Sequence, residues 1–173
     1  MNERAKAQTM TSEQVSDSPQ SVITSHPIGK VVSTRREPVD DRWKSVECHI
    51  VLDETRFSAD ALSGLDGFSH AEVLFFMHKI DKQKIEMSAR HPRGRKEWPK
   101  AGIFAQRGKN RPNQLGLTIC RIRKVEGIRL YVEGLDAIDG TSVLDIKPWV
   151  KEFGPQGEVF QPEWMTQLMK EYW

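Results

Sequence analysis

The sequence predicts an all-β fold, either a barrel or a sandwich. At least five short segments of apolar residues have the length and the β-branched or alternating composition of strands. Gly-, Pro- and Asp-containing turns separate these segments, and almost no stretch has the periodicity of a long helix. Many short strands with little helix are typical of barrels and sandwiches.

Length and composition indicate one soluble domain. The 173 residues suffice for one core, and 29% charged with 38% hydrophobic residues is ordinary for a globular protein. The net charge of +2 means that affinity for nucleic acid would need a local basic patch. Cys48 and Cys120 lie in apolar runs, so we interpret them as buried reduced thiols. We find no membrane-length apolar run and no signal-peptide pattern, and we expect a cytoplasmic protein.

The N-terminal half alternates polar connections with strands. Residues 1–21 are polar and predict a disordered tail. Residues 22–33 predict a strand interrupted at Pro27 and Gly29. A charged loop, residues 34–45, follows, and its Trp43 is either a core-capping residue or a stacking platform.

Two further strands precede a long basic connection. Residues 46–52 alternate as a half-buried strand, and a short helix is expected before Gly64. Residues 68–78 are apolar on both faces, which favours an interior strand. Residues 79–101 carry eight Lys or Arg side chains, and this loop is either a solvated surface or a phosphate-contacting arm.

The C-terminal half predicts four strands and one short helix. The strands are expected at residues 102–106, 115–124, 128–134 and 143–149, with turns at Glu126-Gly127 and Asp139-Gly140. Apolar residues at helical spacing after Pro162 predict a helix that packs on the body. The sequence has no Gly-rich dinucleotide motif and no phosphate loop, so a nucleotide-like cofactor would not be held in the usual α/β manner.

Four blocks of the sequence resemble the TsaA-like family of S-adenosylmethionine-dependent tRNA (N6-threonylcarbamoyladenosine-37)-N6-methyltransferases. The resemblance extends from about residue 26 to residue 153. The blocks are Ile-Gly-Lys-Val at 28–31, Phe-Ser-His through Phe-Met-His at 68–78, Gly-Ile-Phe-Ala-Gln-Arg through Arg-Pro-Asn at 102–113, and Leu-Asp-Ala-Ile-Asp-Gly-Thr through Asp-Ile-Lys-Pro-Trp at 135–149.

The resemblance implies a small single-domain β-barrel with one or two short helices. We expect this domain to span residues 22–155, and the pattern after Pro162 predicts that residues 156–173 form a loop and a short helix packed on the barrel. The resemblance also implies a homodimer that binds S-adenosylmethionine and tRNA and needs neither metal nor membrane. The implied donor-binding residues are His78, Lys79, Arg107, Leu117, Asp139, Gly140, Thr141 and Ser142. On the acceptor side the implied residues are Asp145 and Trp149, with Arg93, Arg95, Lys96 and Arg111 contacting RNA.

Each implied residue also has a structural interpretation. Arg107 and Arg111 can stabilise a turn, Asp145 can pair with Lys147, and Asp139-Gly140 can be only a hairpin turn. The chain departs from the family at residues 37–43, where a Pro-Arg-Gln motif is usual. It also departs at Gly108 (usually Ser), at Gln114-Leu115-Gly116 (usually Pro-Ile-Gly), at Trp149 (usually Tyr), and in lacking the C-terminal domain of longer members. Two alternatives stay open, a donor-binding sensor without transfer activity and a small-molecule methyltransferase.

Overall fold

Six antiparallel strands close into a barrel in the computed structural model, which describes residues 22–173. In order around the barrel these strands are Gly29–Ser33 (β1), Cys48–Leu52 (β2), Arg129–Glu133 (β7), Leu115–Glu126 (β6), His70–Phe76 (β3) and Ser142–Pro148 (β8), and β8 returns to β1. The predicted tail, residues 1–21, lies outside the described residues. The expected mainly β barrel is confirmed. Two further short strands are β4 (Ala89–Arg90) and β5 (Ala101–Gly102).

Alternating burial explains the central strands. Along β2, Cys48, Ile50 and Leu52 point into the core while the residues between them are half-buried. The alternate residues of β3, from Ala71 to Phe75, are fully buried, and its second face is half-buried, as expected for an interior strand. These side chains form one apolar core inside the barrel.

The barrel closes through a short seam between its first and last strands. β1 pairs with β2 over five residues but with β8 over only two, Gly29 opposite Val143 and Lys30 opposite Ser142. By contrast, β3 pairs with β6 over seven residues. The ring of pairings leaves no strand of the barrel with a free edge.

The predicted strand at residues 102–106 is wrong. Only Ala101 and Gly102 are extended, and they pair with β4 as a separate two-stranded sheet. Ile103–Ala105 then form a 3₁₀ turn. The buried side chain of Gln106 donates a hydrogen bond to the carbonyl of Ala101 at 2.7 Å, which fixes this turn by a contact that strand periodicity does not reveal.

The connection at residues 79–100 is more ordered than an extended loop. It contains 3₁₀ turns at Lys82–Lys84 and Pro92–Gly94 in addition to β4. Trp98 at its end is 6% exposed, and its Nε1 donates to Oε1 of Gln167 at 2.9 Å. The connection is therefore fixed to the C-terminal segment.

A single α-helix, α1 (Glu163–Met169), follows the barrel. The segment after it docks on Trp43, whose backbone N–H donates to the carbonyl of Tyr172 at 2.8 Å. Trp43 is 4% exposed and packs with Val46, Ile138 and Tyr172, so it caps a second small core. Among residues 22–173, none of the helices has the length and apolar character that a membrane crossing requires. The boundaries proposed at residues 22–155 and 156–173 stay predictions.

Candidate functional site

A cavity of about 1040 Å³ lies between one face of the barrel and the C-terminal segment. Its walls come from the residues after β3, the first half of β6, residues 104–113, and the segment that contains α1. Its size is at the upper end of the ~300–1,000 Å³ usual for small-molecule pockets. The cavity therefore has room for a ligand of cofactor size.

Positive charge predominates among the residues that line the cavity. Six lining residues are basic and three are acidic. Such a patch attracts anions although the whole protein is nearly neutral. The basic residues are Lys79, Arg90, Arg93, Arg107, Lys109 and Arg111, and the acidic ones are Asp40, Glu72 and Asp136.

Residues 37–41, the acidic loop, pair with three of these cations. The loop stands where the resemblance leads one to expect Pro-Arg-Gln. Its ion pairs join it to the connection at residues 79–100 and to the turn at residues 106–113, and they hold it at the rim of the cavity. They are Glu37 with Lys79 at 3.1 Å, Asp40 with Lys109 at 2.6 Å, and Asp41 with Arg93 at 2.5 Å.

Arg107 and Arg111 are held by backbone carbonyls. Nη2 of Arg107 donates to the carbonyl of Leu117, and Nη1 of Arg111 donates to the carbonyl of Gln106 at 3.1 Å. These bonds support the structural interpretation of both residues as stabilisers of the 106–113 turn. They also position both guanidinium groups at the cavity wall.

A hydrogen-bond network centred on Asp136 joins three parts of the cavity wall. The hydroxyl groups of Thr118 on β6 and Tyr172 in the C-terminal segment both donate to its carboxylate. Burial, followed by the negative charge of Asp136, raises the pKa of Tyr172 far above its ordinary value. Tyr172 therefore stays a hydrogen-bond donor throughout the physiological pH range.

The predicted Asp139–Ser142 turn supports the cavity from outside it. Oδ1 of Asp139 accepts a hydrogen bond from the N–H of Ser33 at 3.1 Å, and Gly140 has the positive φ of 76° that favours glycine. Thr141, 1% exposed, is the only turn residue that lines the cavity, and its hydroxyl lies 3.4 Å from Nδ1 of His78. The turn thus presents Thr141.

The sequence-predicted site residues fall into two groups. Seven line the cavity: His78, Lys79, Arg93, Arg107, Arg111, Leu117 and Thr141. Seven do not: Arg95, Lys96, Asp139, Gly140, Ser142, Asp145 and Trp149. The two acceptor-side candidates, Asp145 and Trp149, lie outside the cavity on or next to β8. Asp145 pairs with Lys147, and the N–H of Trp149 bonds to His70 at the start of β3, whereas His78 follows the end of that strand.

Sequence reasoning missed three residues of this site. Asp136 stands inside the motif at residues 135–149, where the resemblance assigns a role to Asp139 instead, and Tyr172 belongs to the segment after Pro162 for which only packing is predicted. Arg90 was one of eight basic residues in a connection, with nothing in the sequence to distinguish it. Only the tertiary contacts separate these residues from their neighbours.

Both cysteines are inert components of the barrel core. They are buried and unpaired, as predicted. Burial raises the pKa of the Cys48 thiol to about 11 and that of Cys120 to about 12. Within residues 22–173 there is no cluster of three or more His, Cys, Asp or Glu side chains arranged to hold a metal ion.

The chain is similar to known proteins over more than half of its length. A human protein named tRNA (adenine(37)-N6)-methyltransferase is 40% identical over 102 residues, which are 59% of this chain and 23% of that protein. The probable S-adenosyl-L-methionine-binding protein of Methanothermobacter thermautotrophicus is 36% identical over 140 residues, which are 78% of this chain and 96% of that protein. The chain thus spans under a quarter of the human protein and nearly all of the archaeal one.

A solved structure and a family model agree with these relatives. The crystal structure of TrmO from Pseudomonas aeruginosa superposes with a TM-score of 0.65 and 28% identity, covering 81% of this chain and 61% of that one. The family model for the tRNA-methyltransferase O N-terminal domain matches residues 32–154. This match covers more than half of the sequence, and the chain therefore belongs to the tRNA-methyltransferase O N-terminal domain family.

Proposed function

We propose that this chain binds S-adenosylmethionine in the cavity and methylates N6 of a modified adenine in the anticodon loop of a tRNA. One observation carries the proposal: a large, positively charged cavity is built mainly from the segment that matches the family model. Relatives of the chain are named tRNA (adenine(37)-N6)-methyltransferase or probable S-adenosyl-L-methionine-binding protein.

The residues around the cavity fit the chemistry of this donor. Its carboxylate favours a guanidinium group, and Arg107 presents one. Its sulfonium cation favours aromatic faces, which the aromatic residues of the wall offer. His78, Lys79 and Thr141 complete the proposed donor-binding set. We assign Asp139, Gly140 and Ser142 the supporting role of holding Thr141 in place.

Positioning is the main contribution that these residues make to the reaction. When bound, S-adenosylmethionine supplies an electrophilic methyl group for in-line displacement. The rigid barrel wall and the 106–113 turn orient the two reactants, and such alignment can contribute up to ~7–11 kcal/mol to lowering a bimolecular barrier. This chemistry needs no metal, and we propose that none takes part.

The acceptor would approach over the basic side of the cavity. Arg93 and Arg111 lie at its wall, and Arg95 and Lys96 lie on the adjacent connection. Lysine and arginine side chains that contact phosphates provide much of the affinity for nucleic acid. An anticodon-loop base must be splayed from its neighbours to enter the cavity, which is a common mode of single-stranded RNA recognition.

We further propose that two copies of the chain form the working unit in the cytoplasm. Four large apolar side chains at the cavity are well exposed: Phe104 (80%), Leu115 (37%), Leu117 (46%) and Ile119 (46%). Leu115, Leu117 and Ile119 alternate along one face of β6, and exposed apolar side chains grouped in this way are typical of an interface. Asp145 and Trp149, which lie outside the cavity of their own chain, would act on the acceptor across that interface.

Labelled methyl transfer to bulk tRNA tests the proposed reaction. Incorporation of label into tRNA, located at adenine by nuclease digestion, is the expected result. Donor binding without any incorporation would favour the alternative of a sensor without transfer activity. That alternative is supported by the match to 96% of the archaeal protein, which is named a probable S-adenosyl-L-methionine-binding protein. Label in a small-molecule fraction but not in tRNA would favour the second alternative. Light scattering near 19.9 kDa with donor bound would contradict the dimer.

A further inference from the structure

We infer that Arg90 forms an oxyanion subsite in the cavity, binding a carboxylate or a phosphate group of a ligand. The inference rests on the proposed function only in naming two sources of that group, the donor carboxylate and a tRNA phosphate. The site itself follows from the partners of the cavity-lining cations.

Arg90 differs from the other five basic residues of the cavity. Lys79, Arg93 and Lys109 are paired with the acidic loop, and Arg107 and Arg111 donate to backbone carbonyls. Within residues 22–173, Nε of Arg90 is the buried side-chain nitrogen that has no hydrogen-bond partner. This donor has therefore lost water without gaining an acceptor.

An unpaired buried donor on a charged group is costly. Desolvating a polar group without a compensating hydrogen bond destabilises the folded state, and the cost is larger for a charge. Buried polar groups are therefore almost always satisfied in folded proteins, and an exception requires an explanation. A ligand that supplies the acceptor is the explanation that agrees with the position of Arg90 at the wall of a cationic cavity.

The surrounding backbone holds Arg90 in this position. Arg90 pairs with Ala101 in the β4–β5 ladder, and its carbonyl accepts a hydrogen bond from Nε2 of Gln106 at 3.3 Å. A Cβ atom on Gly108 would lie 3.2 Å from Nη2 of Arg90, so the glycine leaves space for the guanidinium beside the 106–113 turn.

The charge of Arg90 acts on the carboxylate of Glu86, but that carboxylate accepts its hydrogen bonds from Ser88. Hydrogen bonds from Ser88 are the main cause of the lowered pKa of Glu86, and the charge of Arg90 makes only a small contribution. Oε1 of Glu86 accepts from the N–H and the hydroxyl of Ser88 at 2.8 and 2.7 Å. Glu86 therefore does not replace the missing partner of Arg90.

The chemistry of the guanidinium group identifies the ligand class. It is planar, is always charged, and presents parallel N–H donors that match the two oxygens of a carboxylate or phosphate. Because Arg107 already donates to the carbonyl of Leu117, Arg90 has more of its donors available to an incoming oxyanion.

The first experiment separates the two sources with Arg90→Gln and Arg90→Lys, using Arg129→Gln as a control on an exposed barrel residue outside the cavity. If the subsite binds the donor carboxylate, Arg90→Gln weakens binding of S-adenosylhomocysteine by ~10- to 100-fold. It leaves 5′-methylthioadenosine, which lacks the carboxylate, unchanged. If the subsite binds a phosphate, the substitution instead weakens tRNA binding and lowers the salt slope by about one unit.

A ligand-independent measurement keeps this inference separate from the proposed function. Replacing chloride by inorganic phosphate at constant ionic strength should raise the unfolding temperature of the parent and of Arg129→Gln more than that of Arg90→Gln. An Arg90-dependent response in a protein that binds neither S-adenosylhomocysteine nor tRNA would refute the proposed function and retain the subsite.

Two outcomes would overturn the subsite. The first is that Arg90→Gln and the parent have the same ligand affinities and show the same change of unfolding temperature with phosphate. This outcome includes the case in which phosphate does not change the unfolding temperature of the parent. The other is a large loss of thermal stability in both Arg90→Gln and Arg90→Lys without ligand, which would indicate a structural role. Removing an unpaired buried charge should leave the unfolding temperature unchanged or higher.

Discussion

The hydroxyl group of Tyr172 donates a hydrogen bond to Asp136, a carboxylate that also accepts one from Thr118. This contact ties the segment after α1 to the barrel at the wall of the cavity. The backbone bond from Trp43 to the carbonyl of Tyr172 adds a second attachment next to it. The C-terminal segment is therefore a fixed part of the site.

Tyr172→Phe should lower the free energy of unfolding by about 1–3 kcal/mol, because a part-buried carboxylate loses one of its donors. Chemical denaturation measures this change. The same substitution at Tyr131 is a matched control, since its hydroxyl bonds to an exposed Glu126 at 3.2 Å, and it should change stability far less. Equal effects at the two tyrosines would contradict the proposed attachment.

Gly116→Ala should destabilise the barrel by ~1–3 kcal/mol through overpacking, since its Cβ would lie 2.3 Å from ring atoms of Phe75. Thermal unfolding is the measurement, and Phe75→Leu in the same chain should restore part of the loss. Gly102→Ala is the control, because a Cβ there meets no atom within 4 Å. A fully stable Gly116→Ala protein would show that Phe75 can move away.

The two buried thiols should make the protein less stable at alkaline pH. Their pKa values rise from 9.0 to about 11 for Cys48 and about 12 for Cys120 on folding. The contribution of the two protonated thiols to the free energy of unfolding is fully present below pH 9. It is lost as the pH rises towards the pKa values of the folded state, because in this range only the unfolded chain releases these protons. Urea unfolding from pH 8 to 11 should show a steeper loss in the parent than in Cys120→Ala. A thiol reagent that modifies both native cysteines at pH 8 would argue against this.

Asp40→Asn with Asp41→Asn should strengthen tRNA binding and steepen its salt dependence. The substitutions release Lys109 and Arg93 from their ion pairs and leave them free to contact phosphates.

In the opposite direction, neutralising Arg93, Arg95 and Lys96 together should weaken tRNA binding and reduce the dependence of the binding constant on salt concentration. Filter binding over a range of salt concentrations measures both. Unchanged slopes in both variants would assign these charges to the solvated surface.

Arg107→Ala should weaken S-adenosylmethionine binding by about 1.5–3 kcal/mol, because the donor carboxylate would lose a charge-assisted partner. Calorimetry measures the affinity. Arg56→Ala is a suitable control, since Arg56 also donates to a backbone carbonyl, that of Pro27, but lies outside the cavity. An unchanged affinity would remove Arg107 from the site and leave its bond to Leu117 as its only role.

The strands of the barrel could be predicted because their burial alternates along the sequence. Cys48, Ile50 and Leu52 show this pattern in five residues, and the structure buries all three. The segment at residues 102–106 has similar composition but a different outcome, because the side chain of Gln106 folds back onto its own backbone. Local periodicity contains no information about such a contact.

Residues of the candidate site could be predicted where they belong to a sequence motif. They could not be predicted where only tertiary contacts bring them to the cavity. The motif ending in Thr141 led to a residue at the cavity wall, and the one containing Asp145 led to a residue outside it. Arg90 and Arg93 are the same residue type in the same basic connection, yet of these two only Arg93 forms an ion pair with a carboxylate. That distinction depends on where the acidic loop lies in space.

The two-residue seam between β1 and β8 also determines when the molecule can complete its fold. Gly29 and Val143 lie near opposite ends of the described chain, so their pairing requires closure of a very long loop. Contacts so distant in sequence form slowly, and this one cannot form during synthesis until β8 has left the ribosome. Thr141 immediately precedes β8. Closure of the ring therefore also places Thr141, and a chain whose β8 has not yet paired with β1 lacks this part of the cavity wall.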